Sequence, residues 1–310
     1  LVSRLRHTAR ILYLIYLVLT LVLIIVLSFG KMPLFDAILH SFGAAGTGGF
    51  GIKNSSIGFY QDPYSEIVLG IGMIVFGINF NLYYFILLKK TKEFFKSEEL
   101  RWYLGIMIAA MLLIYINIVA QFDLTQATAR DVFFTVASIM TTTGYATADF
   151  VHWPLFSHFV LLAIMFVGGM AGSTAGGLKV SRLIVMAKSA AREVRQVISP
   201  HRVQTIHFEH QPVSSAVVKS VGSYFILYML LFVAILGLVS LEAPDFMSAF
   251  SATAATFNNI GPGMSVVGPS SNFGFFSNFT KIVLTFSMFL GRLELIPVVI
   301  LFMPSTYKKH

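Results

Sequence analysis

Apolar runs of membrane-spanning length alternate along this chain with shorter apolar stretches that end in glycine. About 20 mainly apolar residues cross a bilayer. Six segments reach that length, at 9–29, 64–88, 102–121, 155–188, 216–241 and 275–303. They fall into three pairs. Between the members of each pair lies a stretch too apolar for an ordinary loop and too short to span. These stretches are "LFDAILHSFGAAGTGGFG" (34–51), "ARDVFFTVASIMTTTGYAT" (129–147) and "APDFMSAFSATAATFNNIGPG" (243–263). Runs of that size suit re-entrant helices. Asp36 stands 13 residues before Gly49, and Asp131 stands 13 before Gly144. In the third stretch Ser248 holds that place before Gly261, with Asp245 three residues earlier.

The pattern predicts an all-α membrane protein of tandem repeats: helix, re-entrant helix, extended polar segment, helix. The first repeat covers 1–98. The second covers 99–198 and has a broken second helix. A cytoplasmic loop follows over 199–214, and the third repeat covers 215–310. Non-helical backbone at membrane depth must be buried in protein or line a watery cavity. Three inward-pointing segments from one face describe a pore.

Composition agrees. Apolar residues make up 56% of the 310 and charged residues 12%, against about 25% charged in soluble domains. Mean hydropathy is +0.78. No cysteine is present, which excludes a disulfide scaffold, thiol catalysis and cysteine-ligated metal. The helices carry no aspartate pair and the chain no HExxH, so an intramembrane enzyme is not supported. His152, His158, His201, His207 and His210 lack metal-ligand spacing.

The net charge of +8 is a topology signal rather than a nucleic-acid footprint. Of 22 lysines and arginines, 17 fall in 1–10, 89–101, 179–219 and the tail 305–310. Basic loops stay cytoplasmic. The acids Asp36, Asp62, Glu66, Asp123, Asp131, Asp149, Glu242 and Asp245 mark the other connections as outer. The basic face suits anionic lipid or a partner. "RLRHTAR" precedes an apolar run too long for a cleavable signal peptide. The chain opens on leucine rather than methionine, so it reads as a fragment.

The three polar segments end in Thr47-Gly48-Gly49-Phe50, Thr142-Thr143-Gly144-Tyr145 and Asn259-Ile260-Gly261. A potassium filter needs carbonyl oxygens aimed at a dehydrated ion. Glycine readily takes the positive φ that such backbone requires. A re-entrant helix ends with partial negative charge, which favours a cation.

Two further features concern the inner half. The middle of 155–188 carries Gly168, Gly169, Gly172, Ser173, Thr174, Gly176 and Gly177, followed by Lys179. Glycine costs a helix about 1 kcal/mol against alanine, so this stretch reads as an unwound loop under the filter. Close helix packing through Gly168/Gly172 and Gly172/Gly176 is the competing explanation. The spans 64–88 and 275–303 have no such run and are expected to be continuous, apart from a kink at Pro297. Arg292 lies in the last span, and an ionisable residue there points to function. Pairing with Glu294 or with loop carbonyls is its structural alternative. Asn79, Asn81 and Asn117 suit hydrogen bonds between helices. "VQTIHF" suits a strand in a cytoplasmic hairpin.

"TTTGYAT", "GGMAGSTAGGLKVSRL", "FNNIGPG" and "FLGRLELIPVVILF" resemble the Trk/Ktr/HKT superfamily of potassium transporters, most closely the bacterial TrkH-type subunit. The resemblance covers essentially the whole chain. It implies four helix–pore loop–helix repeats with fourfold pseudosymmetry around one ion path. It also implies K+ as the bound and transported ion at the filter residues, with no covalent cofactor. A homodimer in the bacterial cytoplasmic (inner) membrane is implied, with a cytoplasmic nucleotide-binding regulatory subunit (TrkA-like). In the resemblance the glycine-rich loop is a gate and Arg292 faces the pore beside it, repelling cations.

The chain departs from that pattern in showing three repeats, the first of four being absent. The first filter segment influences K+ against Na+ preference. The alternatives are therefore a Na+ or K+/Na+ transporter of the same fold, or a broken-helix carrier for another small solute. A dimer scaffold is a further possibility. Symport with protons or with sodium stays open.

Overall fold

The computed structural model describes residues 2–121, 126–199, 205–293 and 295–301. Asp123, His201, Glu294 and the basic tail lie outside these residues.

The first repeat opens with α1 (Val2–Leu27), whose apolar stretch from Arg6 is long enough to cross a bilayer. The re-entrant helix α2 (Leu34–Ala45) follows. The outer return leads through a 3₁₀ turn at Ser56–Tyr60 to α3 (Pro63–Phe76). α3 starts at an Asp62 cap with Pro63 at its first position, the usual place for a helical proline. α4 (Phe80–Leu87) and α5 (Thr91–Lys96) complete the repeat. The second repeat consists of α6 (Glu98–Val119), the re-entrant α7 (Gln126–Met140), α8 (Leu155–Val167) and α9 (Val180–Ile198). A two-stranded hairpin, β1 (His207–Phe208) and β2 (Gln211–Pro212), follows α9, as the strand-forming "VQTIHF" suggested. The third repeat is α10 (Ser215–Val239), the re-entrant α11 (Phe246–Phe257), α12 (Asn278–Leu293) and α13 (Leu295–Leu301).

The repeats pack in one sense around a centre. Each re-entrant helix sits between the first and second helices of its own repeat: α2 on α1 and α3, α7 on α6 and α8, α11 on α10 and α12. Each second helix also packs on the next re-entrant helix, α3 on α7 and α8 on α11. The re-entrant helices are therefore the inner layer, and α11 is buried from Ser248 through Phe257 except at Phe250. The outer faces of α1, α6 and α10 expose Leu21, Ile25, Ile108, Ile116, Leu230 and Val233, as lipid-facing helices do.

The acids that open the re-entrant stretches share a task despite the shifted register of Asp245. Asp36 accepts from the Tyr60 hydroxyl at 2.6 Å. Asp131 accepts from Thr147 at 3.2 Å, and Asp245 from Ser265 at 3.3 Å. Asp36 and Asp245 tie the starts of their helices to the outer return, and Asp131 does so from the second turn of α7. Asp245 also caps α11, taking bonds from the Ser248 backbone and hydroxyl that hold its carboxyl below the usual range.

Two expectations about the spans need correction. The segments 64–88 and 275–303 are not continuous helices. α3 and α4 are bent by 92° at Gly77–Asn79, and α12 and α13 by 118°. Three described helices are long and apolar enough to cross a membrane, or five when each bent pair counts as one span. The sixth expected span is α8 and α9 with residues 168–179 unwound between them. Pro297 does not cause the second bend. It lies in the first turn of α13, where a missing N–H is tolerated. The asparagines divide: Asn117 accepts from Ser157 of α8 at 2.8 Å, a helix–helix bond. Asn79 instead caps α4 by accepting from the Asn81 backbone at 2.9 Å.

Candidate functional site

The ends of the three re-entrant helices have the same backbone design. Each helix closes with a pair of bonds to one carbonyl. Gly48 and Gly49 donate to Gly43 at 2.7 and 3.4 Å. Thr143 and Gly144 donate to Ser138 at 2.9 and 3.4 Å, and Ile260 and Gly261 to Ala255 at 2.7 and 3.4 Å. In each segment the residue one ahead of that pair takes a left-handed φ: Thr47 at 47°, Thr142 at 57° and Asn259 at 59°. The glycine two residues later does so again, at 65°, 88° and 111°. The register Thr47/Thr142/Asn259 with Gly49/Gly144/Gly261 is thus a property of the chain's geometry.

Neighbouring segments abut at those glycines. A Cβ on Gly49 would run into the Thr143 carbonyl oxygen, and one on Gly144 into the Ile260 carbonyl oxygen. Backbone would block any larger residue there, besides the positive φ. A Cβ on Gly261 would meet nothing within 4 Å, so the arrangement stays open between the third segment and the first.

An outer cavity of about 590 Å³ reaches these ends, lined by Gly48, Gly49, Phe50, Gly144, Asn259, Ile260 and Gly261 among others. Thr47, Thr142, Thr143 and Tyr145 are buried beside it rather than lining it. The carbonyls of Phe50 and Tyr145, which follow Gly49 and Gly144, are engaged by protein. Tyr145 O accepts from Ser138 Oγ at 2.6 Å, and Phe50 O from the Tyr145 hydroxyl at 3.3 Å. The Tyr145 hydroxyl also reaches His40 O at 3.1 Å.

Residues 168–179 lie directly beneath. Gly176 N–H donates to Thr142 Oγ1 at 2.6 Å. Thr47 Oγ1 donates to Thr174 O at 2.9 Å. A Cβ on Gly176 would crowd the Asn258 carbonyl at 2.6 Å. The segment therefore touches the ends of all three re-entrant stretches. Its two arms cross at Gly168, whose φ of 72° and ψ of −166° belong to a region open essentially to glycine alone. Lys179 closes the crossing, its ammonium on the Ala175 carbonyl. Close packing of continuous helices is thereby ruled out as the reason for the glycines.

Breaking a helix inside a membrane leaves backbone groups that must find partners. The two breaks of the first and second repeats supply them to each other. Met170 N–H donates to Gly77 O at 3.0 Å, and Phe80 N–H to Gly172 O at 3.1 Å. Thr174 Oγ1 donates to Phe76 O at 3.2 Å. On the inner side, Glu99 at the start of α6 accepts from Ala171 N–H at 2.7 Å and Ser181 N–H at 3.0 Å. Glu99 is 4% exposed. The charge-pattern reading missed it, because its partners lie more than 70 residues away in the chain.

Arg292 joins the third repeat to this layer. Its guanidinium donates to Gly46 O at 2.7 Å, Thr174 O at 2.9 Å and Thr47 Oγ1 at 3.0 Å. It lines an inner cavity of about 360 Å³ together with Gly172–Gly177, Lys179, Tyr224 and Gly291. Carbonyl partners orient the arginine without neutralising it. Its relation to Glu294 lies outside the described residues.

A family profile for TrkH, described as a cation transport protein, matches residues 1–309. The Trk system potassium uptake protein TrkH of Salmonella typhimurium is 34% identical over 313 residues, covering 99% of this chain and 64% of that protein. TrkG of Escherichia coli K12, also named a Trk system potassium uptake protein, is 33% identical over 97% of this chain and 62% of its own length. The crystal structure of the potassium transporter TrkH from Vibrio parahaemolyticus is similar with a TM-score of 0.91 at 32% identity. It covers 98% of this chain and 66% of that one. The chain thus spans a little under two thirds of the length of these relatives. TrkH-type subunits of Gram-negative bacteria are multi-pass inner-membrane proteins, and they are transport proteins rather than enzymes. This multi-pass membrane chain belongs to the TrkH family of cation transport proteins.

Proposed function

We propose that the chain is a potassium-translocating pore subunit of a gated potassium uptake system. The observation that carries this reading is the stacking of two layers. Three filter ends with one hydrogen-bond pattern lie over an unwound segment bonded to two of them. A solvated cation enters the outer cavity. Backbone carbonyls around Gly48–Gly49, Thr143–Gly144 and Ile260–Gly261 replace its water. The C-terminal ends of α2, α7 and α11 favour positive charge there.

Residues 168–179 are the gate beneath, and Arg292 raises its barrier by repelling cations in the inner cavity. Opening breaks the Thr142–Gly176, Thr47–Thr174 and Arg292–Thr174 bonds and withdraws the segment. This is an order change of a short loop. Relatives named as potassium uptake proteins support K+ as the cargo. A homodimer with a TrkA-like cytoplasmic nucleotide-binding subunit is the assembly that would drive the withdrawal, with symport as the coupling.

The test is potassium-limited growth and uptake in a strain lacking its own uptake systems, supplied with the full-length gene. Wild type restores uptake, Gly144→Ser lowers K+ uptake or K+/Na+ preference, and deletion of Gly172–Gly176 raises uptake without the cytoplasmic partner. Unaltered uptake and preference in Gly144→Ser removes the filter assignment. Unaltered flux in a normally assembled deletion variant removes the gate assignment.

A further inference from the structure

Ser97 caps α6 by accepting from Leu100 N–H at 3.3 Å. A glutamate two residues into a helix normally serves that helix's own free N–H groups or faces water. Glu99 does neither. One of its oxygens takes the N–H of Ala171, inside the unwound segment, and the N–H of Ser181, in the first turn of α9. Those donors flank Gly172, Gly176 and Gly177, the inner part of the glycine-rich segment. A single carboxylate oxygen therefore fastens the outgoing and returning arms of the segment to the fixed start of α6. A buried carboxylate is tolerated only when its bonds are made, so the clamp and the position of the segment stand or fall together.

The start of α6 is itself held from the cytoplasmic side. The hairpin turns at Glu209 and His210, both with left-handed φ, 49° and 62°. Two-residue turns of that kind usually employ Asn-Gly. The glutamate at the turn reaches α6, where its carboxylate accepts from Ser97 Oγ at 2.7 Å and from the Glu99 N–H at 2.9 Å. The same hairpin offers His207 O to Lys188 of α9 at 2.7 Å, and Lys188 pairs with Glu98 at 2.5 Å. Hairpin, α6, α9 and unwound segment form one bonded chain beside a cavity of about 670 Å³ that α4 and α5 also line.

We propose that Glu99 is the positioning residue that latches the 168–179 segment beneath the filter, and that the hairpin carrying Glu209 is the handle by which the cytoplasmic side releases it. The inference rests on the gate reading above. Any pull on the hairpin shifts the backbone of Glu99, and the carboxylate leaves Ala171 and Ser181.

The test uses the full-length protein in lipid vesicles without its cytoplasmic partner, with rubidium tracer flux as one readout. Hydrogen exchange at the amides of Ala171 and Ser181, in the same protein in nanodiscs, is the other. Glu99→Ala gives exchange at both amides faster by about tenfold together with raised tracer flux. Glu99→Gln keeps an acceptor of the same reach and recovers most of the protection. Glu99→Asp keeps the charge, loses the reach and stays leaky. A residue needed only for its charge would reverse that order, with Asp close to wild type and Gln as damaged as Ala, and would overturn the latch. Unchanged exchange in Glu99→Ala also overturns it, and leaves the gate reading to the loop deletion. Faster exchange with unchanged flux overturns the gate reading and the latch with it. Glu209→Ala leaves the carboxylate of Glu99 in place and so tests the handle if Glu99→Ala fails to assemble. Faster exchange at the two amides, by a smaller factor, supports the handle, and no change overturns it.

Discussion

The break between α3 and α4 and the break between α8 and α9 solve one physical problem in opposite ways. The first is short, residues 77–79, and makes a sharp 92° turn. It is wedged in place: Asn79 caps the helix that follows, and Gly77 lies against Tyr103, itself fully buried. The second is long, residues 168–179, and apart from Met170 and Leu178, which are buried in the core, it carries little side chain. It hangs from hydrogen bonds whose partners belong to other elements: Gly77, Phe80, Glu99, Thr142, Thr47 and Arg292. A wedge resists motion through packing, which has no gradual release. Between its two buried side chains, Met170 and Leu178, a suspended segment is released by exchanging a few bonds. The short break is the bracket, and the long break is the part that a bracket can let go.

The contrast is attacked most strongly at Gly168. Alanine there meets the strain of a glycine-only backbone region, about 1–3 kcal/mol. Its Cβ would also meet the Gly176 carbonyl and the Gly177 backbone, and overpacking of this kind costs about 1–3 kcal/mol more. Gly168→Ala is expected to lower the midpoint of heat-induced unfolding in detergent more than any other single alanine in either break. No second substitution should rescue it, because backbone is in the way. Arg292→Gln comes next. It removes charge-assisted bonds worth about 1.5–3 kcal/mol each from Gly46, Thr47 and Thr174. Tracer leak through the partner-free protein should rise by about tenfold or more, and the unfolding midpoint should fall as those bonds are lost. A fall in leak would show that the arginine props the segment open.

These two regions also differ in how far they could be read from the residues alone. The long break shows in five glycines between 168 and 177, and the three re-entrant ends show in the repeated spacing to Gly49, Gly144 and Gly261. Both signals are local. The short break hides in a strongly apolar run, where hydropathy averages across three residues and only Gly77 and a capping Asn79 mark it. The supposed asymmetry between one broken and two continuous spans came from that averaging. The spacing marks Thr142 as a filter residue but says nothing of its hydroxyl, which accepts from Gly176 N–H in the segment below. Glu99 and Glu209 were invisible for a different reason. Their meaning comes from contacts 72 to 112 residues away, and only the folded chain brings those groups together.

The bracket itself can be tested by a rescue that the suspended segment should not permit. Gly77 has an ordinary φ of −76°, so alanine there strains no backbone. Its Cβ would meet the Tyr103 hydroxyl most closely, with Thr141 Cγ2 at 3.1 Å and Tyr103 Cζ at 3.2 Å. Gly77→Ala should therefore cost about 1–3 kcal/mol. Adding Tyr103→Phe removes the obstructing oxygen, together with its bond to Ile74 O at 3.2 Å. The double variant should melt higher than Gly77→Ala alone. The smallest effect belongs to Asn79→Ala. It loses one cap, about 1 kcal/mol, and leaves the Met170–Gly77 and Phe80–Gly172 bonds intact. Because those bonds hold the bend from the other side, the 92° turn should survive. The variant should melt slightly lower and keep wild-type tracer flux. A large rise in leak from this one change would mean that the short break moves with the long one, and the distinction between bracket and suspended part would be lost.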